Sequence, residues 1–231
     1  MRRSLSTLLA LSAVAALTAP VAADGAAGSA LADLGIPEGQ VAVIASGVIP
    51  SVDGGPATVV AIIGNGTAAP VDPRVAWAAT DQAGALLWVG LPAGFTSSGE
   101  TYQIYAGPET LQPGSIGIAF EEVRDLPGDA RTTFAVRAGA PTPEAGDFTV
   151  TEVSLEAGHL VGTVTNAAPQ PFDLAATWLP VVAVCFDAAG APISVHATTL
   201  QADGAPLEPG ASTPFDIDLG GAECDRFLVV A

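Results

Sequence analysis

One stretch of this 231-residue chain occurs twice, and a repeated unit restricts the fold to one that the shorter unit can build. Val59-Val60-Ala61-Ile62-Ile63-Gly64-Asn65 aligns with Leu160-Val161-Gly162-Thr163-Val164-Thr165-Asn166. Asp81-Gln82-Ala83-Gly84 aligns with Asp187-Ala188-Ala189-Gly190, and Leu111-Gln112-Pro113-Gly114 with Leu207-Glu208-Pro209-Gly210. Thr133-Phe134-Ala135-Val136-Arg137-Ala138 aligns with the closing Arg226-Phe227-Leu228-Val229-Val230-Ala231. The landmarks keep their order. The sequence therefore predicts two copies of one domain, each of roughly a hundred residues. No catalytic signature accompanies the repeat, so it bears on architecture far more than on activity.

The local pattern is that of strands. Apolar residues alternate in short runs, and Gly, Pro, Asn and Asp punctuate them. In the first copy the runs cover residues 40–46, 58–63, 75–79, 85–89, 116–120 and 134–137, with a short edge strand around Tyr102, Ile104 and Tyr105. Asp81 to Gly84 turns one run back on the next as a hairpin. In the second copy the runs cover residues 148–155, 160–165, 181–186, 193–197, 214–219 and 226–231. Phe215, Ile217 and Leu219 read as inward, Asp216 and Asp218 as outward. Helical periodicity is absent after the first residues. Short strands at regular spacing predict antiparallel β-sandwiches, with the Pro-Gly corners where the chain crosses between sheets. The expected boundaries are a signal peptide over 1–23, a flexible leader over 24–39, a first domain over 40–137, a linker over 138–147 and a second domain over 148–231. Each half carries its own strand set, so residues 148–231 are expected to fold alone.

The first residues have the form of a secretory signal. Arg2 and Arg3 precede an apolar centre over residues 8–17, and Val21-Ala22-Ala23 offers small residues for cleavage before Asp24. No cysteine stands there to take a lipid, and the apolar stretch is short for a membrane span. Export to the cell envelope or beyond is the expected destination, with no stable membrane insertion of the mature chain. The chain ends inside a predicted strand, so surface attachment would need a partner.

Losing Arg2 and Arg3 takes the formal charge from −17 to −19, and the chain has no lysine. Such a surface disfavours nucleic acid and anionic lipid. Scattered acids also keep an alanine-rich exported protein soluble. Cys185 and Cys224 make an even count in an exported chain and predict one bridge. No Cys-x-x-Cys is present, which points to a staple rather than a redox pair. If Val182, Val184 and Phe186 form the core side of their strand, Cys185 falls on the other side. The bridge would then run along the outer face or rim and tie down the C-terminal strand.

The second copy resembles the FxLYD family of small immunoglobulin-like domains. The resemblance rests on the strand ending in Asn166, the hairpin Phe186-Asp187-x-x-Gly190, and the corner Leu207-Glu208-Pro209-Gly210 followed by Pro214-Phe215-Asp216-Ile217. The first copy looks like a diverged member that keeps Asn65, Asp81, Gly84, Pro113 and Gly114. It has Thr80 where an aromatic is expected, and a longer stretch between hairpin and corner. The resemblance implies tandem immunoglobulin-like domains with a structural or binding role, and it transfers no active site.

Candidate sites are sparse. His159 and His196 lack the spacing of a metal motif. Glu121 and Glu122 adjoin, so on a strand they face opposite sides. Asp216 and Asp218 share a face and could hold an acid and a base, but their alternation describes a solvated strand face. Asp53-Gly54-Gly55, Asp203-Gly204 and the stretch from Asp125 to Asp129 could supply oxygens to a weak calcium site, without the spacing of a calcium loop. No other cofactor is expected. Trp77 reads as core, whereas Trp88 and Trp178 are candidates for a ligand platform that would stack on sugar. Asn65-Gly66-Thr67 fits a glycosylation sequon, yet the same residues make a turn and the composition looks bacterial. The leading expectation is a non-enzymatic binding or scaffolding protein whose partner is an envelope or extracellular protein or glycan. A carbohydrate-binding accessory protein stands second, and a hydrolase using Asp216 and Asp218 third.

Overall fold

The computed structural model describes residues 35–51, 55–90, 103–106, 110–141, 147–174, 179–200 and 206–231. The signal and nearly all of the leader, Asp53, Trp178, Asp203, Gly204 and the middle of the linker lie outside them. The described residues are all β. The strands are β1 (Val41–Ile49), β2 (Ala57–Asn65), β3 (Asp72–Thr80), β4 (Leu86–Gly90), β5 (Gln103–Ala106), β6 (Ile116–Val123) and β7 (Arg131–Gly139). They continue as β8 (Phe148–Glu156), β9 (His159–Asn166), β10 (Leu179–Phe186), β11 (Pro192–Leu200), β12 (Ser212–Asp218) and β13 (Arg226–Val230). The runs read from the sequence all correspond to strands, most of them longer by a residue or more at their ends. At strand ends the ladder extends through Thr, Asn and Pro that an apolar pattern does not count.

All pairing is antiparallel, in four sheets of order β1-β2-β6-β5, β4-β3-β7, β12-β9-β8 and β11-β10-β13. Each sheet draws its strands from one half of the chain. The correspondence is direct: β1, β2 and β6 match β8, β9 and β12, and β3, β4 and β7 match β10, β11 and β13. β5 is an extra edge strand of the first half.

Apolar side chains stack these sheets in a fixed sequence. Trp77 and Ala79 of β3 meet Ala57 and Val59 of β2 and Val123 of β6 in one cluster, and Val75 meets Ile63 in a second, so β4-β3-β7 covers one face of β1-β2-β6-β5. In the second half, Val181, Ala183 and Cys185 of β10 meet Leu160, Val164, Phe215 and Ile217 of β9 and β12. A further cluster joins the halves. Val60, Ile62 and Ile118 pack against Val182, Val184, Phe186, Leu228 and Val230. The result is four layers with apolar seams between them. The approach across the middle seam is close: a β-carbon added to Gly47 of β1 would stand 2.6 Å from Pro192 Cγ of β11.

This stacking explains a feature of the sequence. A strand covered on one face alternates, and a strand covered on both reads as continuous apolar residues. β2 and β10 are the covered ones, and Val59-Val60-Ala61-Ile62-Ile63 and Val181-Val182-Ala183-Val184-Cys185-Phe186 are buried without interruption. Their counterparts β9 and β3 alternate. The copies thus present opposite faces to each other.

The disulfide forms between Cys185 and Cys224, with Cα atoms 5.1 Å apart. Its position corrects the expectation that it lies on an outer face. Val182, Val184 and Phe186 do face an apolar layer, but that layer is the seam with the first half. Cys185 points the other way and is fully buried in the core of its own half, with Cys224 packed against that core. A single-core picture could not anticipate a strand buried on both sides.

Candidate functional surfaces

Many of the residues that recur in the sequence are engaged in holding the fold. Asn65 is fully buried, and its amide donates to Ala69 O at 2.9 Å and Leu111 O at 2.8 Å. Its Oδ1 accepts from Thr67 N at 3.0 Å. Asn166, also fully buried, repeats the pattern with Gln170 O at 2.9 Å, Leu207 O at 2.8 Å and Ala168 N at 3.0 Å. The Asn65 sequon is therefore a structural turn, its amide committed to two carbonyls. Asp81 accepts from Ala85 N and Asp187 from Ala191 N, both at 2.8 Å, closing equivalent hairpins. At the corners Ser115 N donates to Gln112 O and Ala211 N to Glu208 O, with Gly114 and Gly210 at φ 79° and 75°. Pro at the second position and a positive-φ Gly at the third are the requirements of a type II turn.

Glu121 and Glu122 point to opposite sides of β6. Glu121 is 2% exposed, and its carboxylate accepts from Trp77 Nε1 at 2.6 Å, while Glu122 is exposed. Sequence reading placed Trp77 in the core but missed this partner. The signal was present in Ala119-x-Glu121-x-Val123, which shares the inward parity of β6. Trp88 is half-buried and turned inward. It pairs with Ala79 across the ladder and packs on the cluster that contains Trp77. A stacking platform at Trp88 would need its ring turned outward.

Among the described residues, the two outermost sheet faces remain as broad surfaces for recognition. On β12-β9-β8, one face presents His159, Val161, Thr163 and Thr165, flanked across the ladders by Asp216 and Asp218 on one side and by Ser154 and Glu156 on the other. His159 Nδ1 lies 2.7 Å from Asp216 Oδ1. That hydrogen bond and the charge of Asp216 raise the His159 pKa against the opposing effect of desolvation, and the charge of Asp218 adds a lesser push upward. Asp218 also acts on His196, whose pKa is nevertheless lowered because burial disfavours its charged form. His196 Nε2 contacts Ser194 Oγ at 2.9 Å. The two histidines thus flank the field of one carboxylate. Among the described residues no group of three His, Cys, Asp or Glu side chains gathers to hold a metal ion, Asp125 and Asp129 included.

The opposite outer face, on β4-β3-β7, carries the other sign. Arg74 and Arg137 are direct cross-strand partners, and Arg131 pairs with Thr80 on the same face. Ala76, Ala78 and Ala135 lie between them, and Leu86 and Val89 stand beside them 63% and 50% exposed. Asp72 approaches Arg74 at only 4.0 Å, and Arg131 donates to Gln82 Oε1 at 2.8 Å.

Comparison with known proteins returns no matching family model, no matching curated protein and no matching solved structure. The resemblance to FxLYD domains accordingly stands on the residues quoted above.

Proposed function

We propose that this chain is an exported, non-catalytic protein of two immunoglobulin-like domains that serves as a binding or scaffolding module in the cell envelope or outside the cell. One observation carries the reading. Asn65, Asp81 and Gly114 and their counterparts Asn166, Asp187 and Gly210 make the same hydrogen bonds or turns in each half. The recurrent residues hold the fold, which leaves broad sheet faces for recognition. The strand order of each half supports the immunoglobulin-like assignment, since sheets β1-β2-β6 and β4-β3-β7 alternate as in such sandwiches. A buried disulfide fits an oxidising compartment, and no helix among the described residues is long and apolar enough to cross a membrane.

The test is capture from the envelope fraction of the producing cell with the mature chain as bait. The expected result is a partner retained specifically and released by salt. Hydrolysis of a glycan or peptide that disappears in the Asp216→Asn/Asp218→Asn variant would overturn the non-catalytic reading.

A further inference from the structure

We propose that copies of this chain join end to end, the acidic outer face of β12-β9-β8 in one docking on the basic outer face of β4-β3-β7 in the next. The inference rests on the two-domain module reading and names the partner as a second copy. Its basis is how the halves already pack. Within one chain, the outward face of β1-β2-β6-β5 lies on the outward face of β11-β10-β13. Under the repeat, the first of these corresponds to β12-β9-β8 of the second half, and the second to β4-β3-β7 of the first half. Among the described residues, no other sheet covers these two faces, which stand at the two ends of the stack. The pairing inside the chain joins unlike faces, and an unlike-face contact does not use itself up: each added copy presents the same free end.

Charge favours the same pairing. After the signal segment the chain retains five arginines, and three of them, Arg74, Arg131 and Arg137, fall on the one face. Arg74 lies directly opposite Arg137, and like charges placed so are unfavourable within a lone sheet. An anionic surface shared between them removes that penalty. The other free face supplies one, since Glu156, Asp216 and Asp218 surround His159. Ala76, Ala78 and Ala135 are small side chains between the arginines, and Val161 and Pro214 share the acidic face. Neither face has the apolar density of the internal seam, so the contact is reversible and salt-sensitive.

Sedimentation of the mature, disulfide-bonded chain tests this. At about 0.15 M salt the screening length is about 8 Å, so repulsion between distant acids is damped while contact pairs act; at about 1 M it is about 3 Å. The weight-average mass should rise with protein concentration in the first condition and fall back in the second. Arg74→Glu/Arg137→Glu makes both ends acidic, and Asp216→Arg/Asp218→Arg makes both ends basic. Each variant alone should associate at least roughly tenfold more weakly, and an equal mixture of the two should associate again. Unchanged circular dichroism is required of each variant. If one fails it, Arg74→Gln/Arg137→Gln, which removes charge without reversing it, should still weaken association. A wild-type chain that stays monomeric at every concentration, or a mixture that fails to associate, overturns the proposal. A monomeric chain that still captures an envelope partner would leave the module reading standing. An activity that depends on Asp216 and Asp218 would overturn that reading and leave the sedimentation result unaffected.

Discussion

Asn166 holds Leu207 by a single side-chain hydrogen bond of 2.8 Å, and Asn65 holds Leu111 in the same way across the other half. Each bond links the end of one strand to the segment entering the Pro-Gly corner. Both leucines also pair through their backbones, with Val71 in one half and Phe172 in the other. The asparagine thus fixes where the chain leaves one sheet for the next.

Replacing Asn166 with Ala would remove three hydrogen bonds, but Leu207 O would still accept from Phe172 N and Ala168 N would still donate to Asp147 O, so Gln170 O is the group left short of a partner. A loss of about 1–3 kcal/mol is expected from Asn166→Ala, and a similar loss from Asn65→Ala. Chemical denaturation of the two variants measures both, and a loss below that of a surface control would refute the assignment.

The seam predicts how the halves behave apart. Val182 and Val184 are fully buried only because the first half covers them. A fragment of residues 148–231 should fold around its own core, as its complete strand set implies. It should also bind a hydrophobic dye and associate with the separately made first half. Val184→Asp in the full chain should divide one cooperative melting transition into two, which calorimetry resolves.

The bridge between Cys185 and Cys224 closes a separation of 39 residues. On the chain-entropy account a loop of that size contributes about 4 kcal/mol, less any strain. For a body of this size the Cys185→Ala/Cys224→Ala variant should melt roughly 10 °C lower. Because Cys185 is buried in the core, the double substitution loses packing in addition. Reduction of the intact protein should therefore cost less than the double substitution.

The two histidines should titrate in opposite directions from the ordinary value of 6.5. His159 is raised, so its contribution to stability is complete below 6.5 and is lost as pH climbs through the raised value. His196 is lowered by burial, so acidification below 6.5 protonates the unfolded chain first and weakens the fold. Proton NMR resolves both, since the chain has no other histidine. Asp216→Asn should return His159 toward the ordinary value and leave His196 nearly unchanged.

Much of this architecture was legible in the residues. The duplicated Asn, Asp-x-x-Gly and Pro-Gly signals report local geometry, and local geometry depends on neighbours a few residues away. The alternation of Phe215, Ile217 and Leu219 against Asp216 and Asp218 likewise gave the correct inner face. What escaped was long-range. Val182-x-Val184-x-Phe186 declares an apolar face but not which layer covers it, and the side of the disulfide followed from that unknown. The pairing of Arg74 with Arg137 depends on ladder register, which periodicity alone does not supply. The union of Trp77 with Glu121 joins residues 44 positions apart.

The middle seam also makes the halves impossible to interchange. Grafting Arg74-Val75-Ala76-Trp77-Ala78 into β10 in the register of the repeat would set Ala76 and Ala78 where Val182 and Val184 now fill the seam, leaving it underpacked. The reverse graft would set Val182, Val184 and Phe186 on an open surface. Shuffled in the opposite order, the same two units would each turn a polar sheet toward the other and an oily one toward water. The order of the copies along the chain is therefore encoded in which strand of each is apolar on both sides.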